Sequence, residues 1–318
     1  MSPQLPAPVA RIETAFDDVD AMAVGPIAWN QHYEQIGRGR FHGRLTQLVF
    51  DQFQFARVSY SLGVLQSGCA PAGTWVFGLP LSAEGSLHVR RRPVSRGELM
   101  AATCRDDIGF ATTGRADMMV AVLPVHAIEQ WMQARRGRDD FNVHLPSPRW
   151  YVPAEDQSRR AHALATLLER FASYSESALR RAAPQLQERI FQIILGMIPS
   201  AEIIEPLHSR ARIARQILAI LHDRLDDPPD IAELCVAVGT RERTLHSSCI
   251  EAFGRSPMAL MAELRLNATR RALLWPDATT SVTGVAERYA FTHLGRFSNI
   301  YRRKFGELPS VTLSNARG

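Results

Sequence analysis

What this chain of 318 residues lacks narrows its possible roles before any motif is read. Its four cysteines, Cys69, Cys104, Cys235 and Cys249, stand singly, with no C-x-x-C pair among them. That scatter offers neither a zinc knuckle nor a disulfide framework, so reduced and mostly buried thiols are expected. No stretch approaches the roughly 20 apolar residues of a membrane helix. The opening "MSPQLPAPVARIETAFDD" also has no apolar signal core, so no membrane association and a cytoplasmic location are expected. His88 is followed by Val89-Arg90 rather than by a second histidine at His-x-His spacing, and His42, His126 and His144 lie apart. A metal enzyme gathers such ligands. No catalytic residue, no metal and no cofactor are therefore expected. "GRGRFHG" (37–43) has the wrong spacing for a dinucleotide loop and no helix after it, so its glycines read as turn glycines.

What is present is enough apolar material, 46% of residues, for two modest cores. Charge is uneven along the chain. Residues 1–206 hold 21 Arg against 21 Asp+Glu, whereas residues 207–318 hold 16 Lys+Arg against 11 Asp+Glu, which accounts for the whole net charge of +5. The positive charge is bunched in "YRRKFG" (301–306) and "TRR" (269–271), as a polyanion such as the DNA backbone requires, although solvated faces carry such runs too.

From about Leu45 to Leu123, short apolar runs of strand length alternate with Gly, Pro and Asp turns. Val58, Tyr60, Leu62 and Val64 alternate with Arg57, Ser59, Ser61 and Gly63, the period of a strand with one buried face. An antiparallel sheet or small barrel is expected. Beyond Pro153 the period lengthens. Leu164, Leu167, Leu168 and Phe171, then Leu186, Ile190, Ile193, Ile194 and Met197, predict two amphipathic helices, with Pro184 in the first turn of the second. Their apolar faces either pack on the sheet or form a dimer seam. "IPSAEIIEPLHSR" then breaks the pattern with Pro199 and Pro206 and reads as a linker.

The last third contains a repeat. "RARIARQILAILHDRL" predicts a helix, and Asp230 with Glu233 a capping box that starts the next. "IAELCVAVGTRERTLHSSCIEAFG" (231–254) then aligns with "VTGVAERYAFTHLGRFSNIYRRKFG" (282–306), with one extra residue in the second turn. Ile231 pairs with Val282, Cys235 with Ala286, Gly239 with Ala290, Leu245 with Phe297, and Phe253-Gly254 with Phe305-Gly306. Small residues let helices cross closely, a turn glycine permits a left-handed backbone, and Leu245 or Phe297 fills the wedge. This is a doubled helix-turn-helix, in which Thr292 opens the second recognition helix. The outward residues are Arg241, Arg243, Thr244, His246 and Ser247 in one unit, and His293, Arg296, Ser298, Asn299, Arg302, Arg303 and Lys304 in the other. Such donors suit a major groove, the early ones reading bases and the last three meeting phosphate.

"RTLHSSCIEAFGRSPMALMAELRLNATRRAL" followed by "YAFTHLGRFSNIYRRKFGELPS" resembles the DNA-binding region of AraC/XylS-type transcriptional regulators, over residues 207–315. "YEQIGRGRFHGRLTQL" (33–48) resembles the start of the sensory domain in the ethanolamine-utilisation-regulator branch. The resemblance implies a bacterial activator with double-stranded DNA and RNA polymerase as partners, acting as a homodimer. It also implies a cupin-like β-barrel that binds a small-molecule effector or mediates dimerisation. The chain departs from the family at Ala290, where glycine is usual, and at Thr283-Gly284, since a glycine inside a helix costs roughly 1 kcal/mol against alanine. Cys249 replaces a bulky aromatic and implies a lighter first core.

The expected fold is therefore α+β: a cupin-like sensory domain (1–150), a helical dimerisation or packing segment (151–198), a linker (199–210) and an all-α double helix-turn-helix domain (211–318). For the effector site, Trp75, Phe77 and Leu79 share one period-2 face beside Phe53, Phe55 and Tyr60, with His88 near them; these line a pocket or are plain core. Arg90, Arg91 and Arg92 meet an acidic ligand or form a solvated edge. Control by a partner protein, or a barrel enzyme fused to the DNA-binding module, are the alternative readings.

Overall fold

The computed structural model describes residues 10–23, 30–50, 53–89, 92–94, 98–103, 108–134, 149–151, 154–196, 202–203 and 209–318. The strands among the described residues are β1 (Ala10–Phe16), β2 (Asn30–Gln35), β3 (Gly43–Val49), β4 (Gln54–Tyr60), β5 (Val64–Cys69), β6 (Thr74–Ala83), β7 (Leu87–Val89), β8 (Arg92–Pro93), β9 (Glu98–Thr103), β10 (Phe110–Thr112), β11 (Ala116–Pro124), β12 (Arg149–Tyr151) and β13 (Glu202–Ile203). They form an eight-stranded sheet in the order β1-β3-β4-β11-β6-β9-β12-β13 and a five-stranded sheet in the order β2-β5-β10-β7-β8. The expected cupin-like barrel is thus not closed. Two sheets face each other across a shared core, with Tyr33, Val64, Leu87 and Phe110 from the smaller sheet meeting Val58, Tyr60, Met100 and Met118 from the larger. A sandwich buries the same alternating residues as a barrel without joining its edge strands, so alternation alone does not separate the two.

The larger sheet is buried on both faces. Its other face carries α1 (Val125–Gln133), α2 (Ala154–Ala172) and α3 (Glu176–Ile194), and Phe53, Phe55, Trp75, Phe77 and Leu79 pack there against Leu164, Leu168, Leu186 and Ile190. Leu186 and Ile190 are 0% exposed and Ile194 is 1% exposed within this one chain, so they are intramolecular core and not the dimer seam that their spacing left open. Met197 lies outside the described residues. Ser175 caps α3, which places Pro184 inside that helix and not in its first turn. β13 pairs with β12, Trp150 opposite Ile203, so after the helical pair the chain returns to the large sheet; most of the expected linker (199–210) lies outside the described residues.

The C-terminal helices are α4 (Ser209–Asp223), α5 (Ile231–Val238), α6 (Glu242–Phe253), α7 (Pro257–Leu274), α8 (Val282–Arg288), α9 (Leu294–Phe305) and α10 (Pro309–Arg317). The capping box at Asp230 and Glu233 is present. In the first unit Leu234, Leu245, Cys249 and Phe253 pack on Ile217, Leu221 and Leu264. In the second, Val285, Ala286, Phe297, Tyr301 and Phe305 pack on Leu273 and Leu313. The turns that separate the helices of each unit use left-handed residues at matching positions, Gly239 at φ 67° and Ala290 at φ 57°. The first core also takes in Ile36, Leu65 and Ala111 from the small sheet, so that sheet is the platform on which the helical domain sits. Among the described residues no helix is long and apolar enough to cross a membrane.

Candidate nucleic-acid interface

In α6 the residues Leu245, Cys249, Ala252 and Phe253 recur at helical spacing and face inward, and burial pushes the Cys249 thiol up to about 12. The first turns of the opposite face carry polar side chains, with Ile250 exposed further along the helix. Arg241 (the N-cap), Arg243 and His246 are exposed, while Thr244 and Ser247 are half-buried, with Ser247 Oγ donating to Thr244 O at 3.1 Å. In α9 the inward stripe is Phe297, Tyr301, Lys304 and Phe305. His293, Arg296, Asn299, Arg302 and Arg303 are exposed and Ser298 is half-buried. Asn299 Nδ2 donates to Gly295 O at 3.1 Å, a bond it can exchange for a base edge. The helix begins after His293, one residue later than Thr292 implied, and neither α6 nor α9 has a side-chain cap bond.

Lys304 is the exception in the predicted set. It is 4% exposed, its Nζ donates to Ile36 O at 2.9 Å, and Glu263 Oε1 lies 3.6 Å away. Burial lowers its pKa to about 8, partly opposed by Glu263. In this arrangement it does not face a DNA phosphate. The spacing carried the signal, because Lys304 stands two turns after Phe297 and so on the same buried face. The run "TRR" is also turned inward. Arg270 meets Asp18 at 2.7 Å and Glu307 at 2.8 Å; Arg271 meets Asp20 at 2.9 Å and Glu34 at 2.8 Å. Of the cations in the two basic runs, Arg302 and Arg303 remain exposed.

Between the two sheets lies a cavity of about 150 Å³, lined among others by Tyr33, Gln47, Gln54, Tyr60, Gln66 and Met118. Tyr33 Oη donates to Gln31 Oε1 at 2.9 Å and Gln47 Nε2 to Gln54 Oε1 at 3.1 Å. Burial pushes the Tyr33 phenol up to about 12 and Tyr60 well above its usual value, so both are neutral hydrogen-bonding groups. Of the residues expected to line an effector site, Tyr60 lines this cavity. Phe53, Phe55, Trp75 and Phe77 lie on the other face of the large sheet, under the helices. The alternation on β6 was correctly periodic, but Val76 and Gly78, the opposite phase, line the cavity. Period-2 spacing cannot choose between two buried faces. His88 is buried on the small sheet outside the lining, where desolvation lowers its pKa against the raising effect of Glu251. Arg90 and Arg91 lie outside the described residues. No group of three or more His, Cys, Asp or Glu side chains that could hold a metal occurs among the described residues.

Two helix-turn-helix units in tandem, joined by one helix and each presenting an exposed polar face on its second helix, define a double-stranded DNA-binding transcriptional regulator. The family model described as a helix-turn-helix domain matches residues 234–315. The chain is 24% identical over 290 residues to the "XylDLEGF operon transcriptional activator" of Pseudomonas putida, covering 88% of this chain and 87% of that one. It is 32% identical over 114 residues to the "Probable thc operon regulatory protein" of Rhodococcus erythropolis, covering 36% of this chain and 34% of that one. Among solved structures, a "probable AraC family transcriptional regulator" from Rhodopseudomonas palustris CGA009 is 32% identical, covering 34% of this chain and 99% of that chain, with a TM-score of 0.32. The domain match and the relatives support an AraC/XylS-type transcriptional regulator, a class of DNA-binding proteins and not of enzymes.

Proposed function

We propose that this regulator is an activator controlled by a small molecule held between its two sheets. The observation that carries this reading is the thinness of the layer separating the cavity from the DNA-binding domain. On β2, β5 and β10, Tyr33, Gln66 and Phe110 line the cavity, while their neighbours Glu34, Leu65 and Ala111 touch the helical domain. Consecutive residues on a strand point to opposite faces, so a ligand that displaces one side chain acts on the next within a single strand layer. A 150 Å³ cavity with an apolar body, side-chain amides and neutral phenols suits a compound of about the size of one substituted ring.

The activator role takes its support from the name of the Pseudomonas relative. RNA polymerase as a partner, a homodimer on paired sites, a cytoplasmic location and the ethanolamine-utilisation-regulator-like branch rest on the sequence resemblance. The test is to fill the cavity. Gly78→Val places an isopropyl group against the flexible Met100, whose Cε lies 3.2 Å from the added Cβ position. With a library of one-ring compounds, thermal shifts and ligand-dependent changes in DNA affinity are expected for the wild type and absent for the variant, whose ligand-free DNA binding persists. No compound shifting the wild type, or an undiminished response in Gly78→Val, would count against an effector in this cavity.

A further inference from the structure

Both recognition helices end on the sensory domain. α6 stops at Gly254, whose left-handed backbone (φ 64°) lies so close to the small sheet that a Cβ there would come 2.8 Å from Thr113 Cγ2. α9 stops at Gly306 (φ 78°), where a Cβ would come 3.3 Å from Arg40 N. The last carbonyls of a helix ordinarily lack donors. Here Lys304 O receives two from the sensory domain, Gly39 N at 2.9 Å and Gln35 Nε2 at 2.9 Å, while the Lys304 ammonium returns a bond to Ile36 O at 2.9 Å.

The joining helix is held as well. Asn267 exchanges bonds with the Gln35 main chain, Arg271 reaches Asp20 and Glu34, and Arg270 reaches Asp18. Partly buried ion pairs return little net stability, so their contribution here is geometric. The reading faces stay open throughout: Arg241, Arg243, His246, His293, Arg296 and Asn299 are exposed with the domain docked. The contact therefore does not hide the side chains that face DNA. What it constrains is the position of one recognition helix relative to the other.

Successive major-groove segments on one side of a duplex recur about every 34 Å, and a helix out of that phase meets backbone instead of base edges. We infer that the sensory domain is a spacing clamp: by gripping the ends of α6 and α9 and the helix between them, it sets the operator spacing that the chain reads. The clamp stands on the docking contacts alone and does not require an effector in the cavity.

The test uses full-length chains and a built-in reporter. Lys304 is the only lysine in the sequence, so reductive methylation with formaldehyde reads its amine against the chain terminus alone. The double variant Asp20→Arg, Gln35→Ala sets a like charge against Arg271 and removes an amide that holds the end of α9. Duplexes selected from a randomised library by the wild type are rebuilt with the two contacted segments moved apart one base pair at a time. Expected for the wild type are slow labelling of Lys304 and a sharp preference for one spacing. Expected for the variant are labelling at the rate of an exposed amine, a loss of about tenfold at the best spacing with a flattened spacing profile, and unchanged binding to a single segment. A variant with freely labelled Lys304 and the wild-type spacing profile overturns the clamp. So does wild-type Lys304 labelling as an exposed amine, or protection that persists in the variant. Asp18→Asn with Asp20→Asn, which only neutralises the carboxylates, replaces the double variant should circular dichroism show it unfolded.

Discussion

Gln35 at the end of β2 and Asn267 in the middle of α7 are bonded in both directions: Gln35 N donates to Asn267 Oδ1 at 3.2 Å, and Asn267 Nδ2 donates to Gln35 O at 3.0 Å. The asparagine amide thus stands in for the neighbouring strand that the edge of the small sheet lacks, where β2 would otherwise leave main-chain groups unpaired. Asn267 is 2% exposed, so Asn267→Ala leaves a buried donor and acceptor without partners. A loss of about 2 kcal/mol in urea unfolding of the full chain is expected. A loss under about 0.5 kcal/mol would mean that water replaces the amide freely.

Ala290 gives the opposite sign. At φ 57° it holds a left-handed conformation that costs an L-residue roughly 1–2 kcal/mol, and glycine is free of that cost at the price of some chain entropy. Ala290→Gly should raise stability by about 0.5–1 kcal/mol, and Gly239→Ala at the matching turn should lower it similarly. Thermal unfolding of the two variants checks both, and equal signs would refute the turn argument.

Lys304 makes stability depend on pH in a defined direction. Its pKa falls from 10.5 to about 8 on folding because its ammonium is desolvated. Between those values the unfolded chain binds more protons than the folded one, so stability rises with pH across that window and is lowest below pH 8. The gain expected by pH 10 is on the order of 1–3 kcal/mol relative to Lys304→Met, which carries no such slope. Urea midpoints of both chains at pH 7 and pH 10 decide it, and parallel pH profiles would mean that the amine is solvated.

On DNA, the exposed early residues of α6 should read bases and the late residues of α9 should grip backbone. Arg243→Ala is expected to cost about 1–3 kcal/mol on the selected site and to flatten preference at one base pair, while Arg303→Ala weakens all sequences about equally and reduces the salt dependence. Binding across a base-randomised duplex separates the two. An even loss for Arg243→Ala would reassign that arginine to phosphate.

The doubled unit was legible in the sequence because its determinants are local. Gly239 and Ala290, Leu245 and Phe297, and the Phe-Gly endings recur in the same order, with one extra residue in the second turn, and helical period alone sends Leu245, Phe297 and the closing phenylalanines inward. The strands were legible for the same reason, but what lies over each face of a strand is a long-range matter. Trp75 and Phe77 were rightly placed on one face of β6, yet only the packing of α1, α2 and α3 made that face the outer one and left Val76 and Gly78 to the cavity. Closure of the sheet likewise depended on edge pairing between distant strands. Charge was the least local property. Arg270, Arg271 and Lys304 carry the same formal charge as Arg302 and Arg303, but Asp18, Asp20, Glu34 and the Ile36 carbonyl, more than two hundred residues earlier, draw the first three to the sensory domain and leave the last two to solvent. Periodicity determines which way a side chain points along its own element; what it meets there is decided by the tertiary contacts that bring remote segments together.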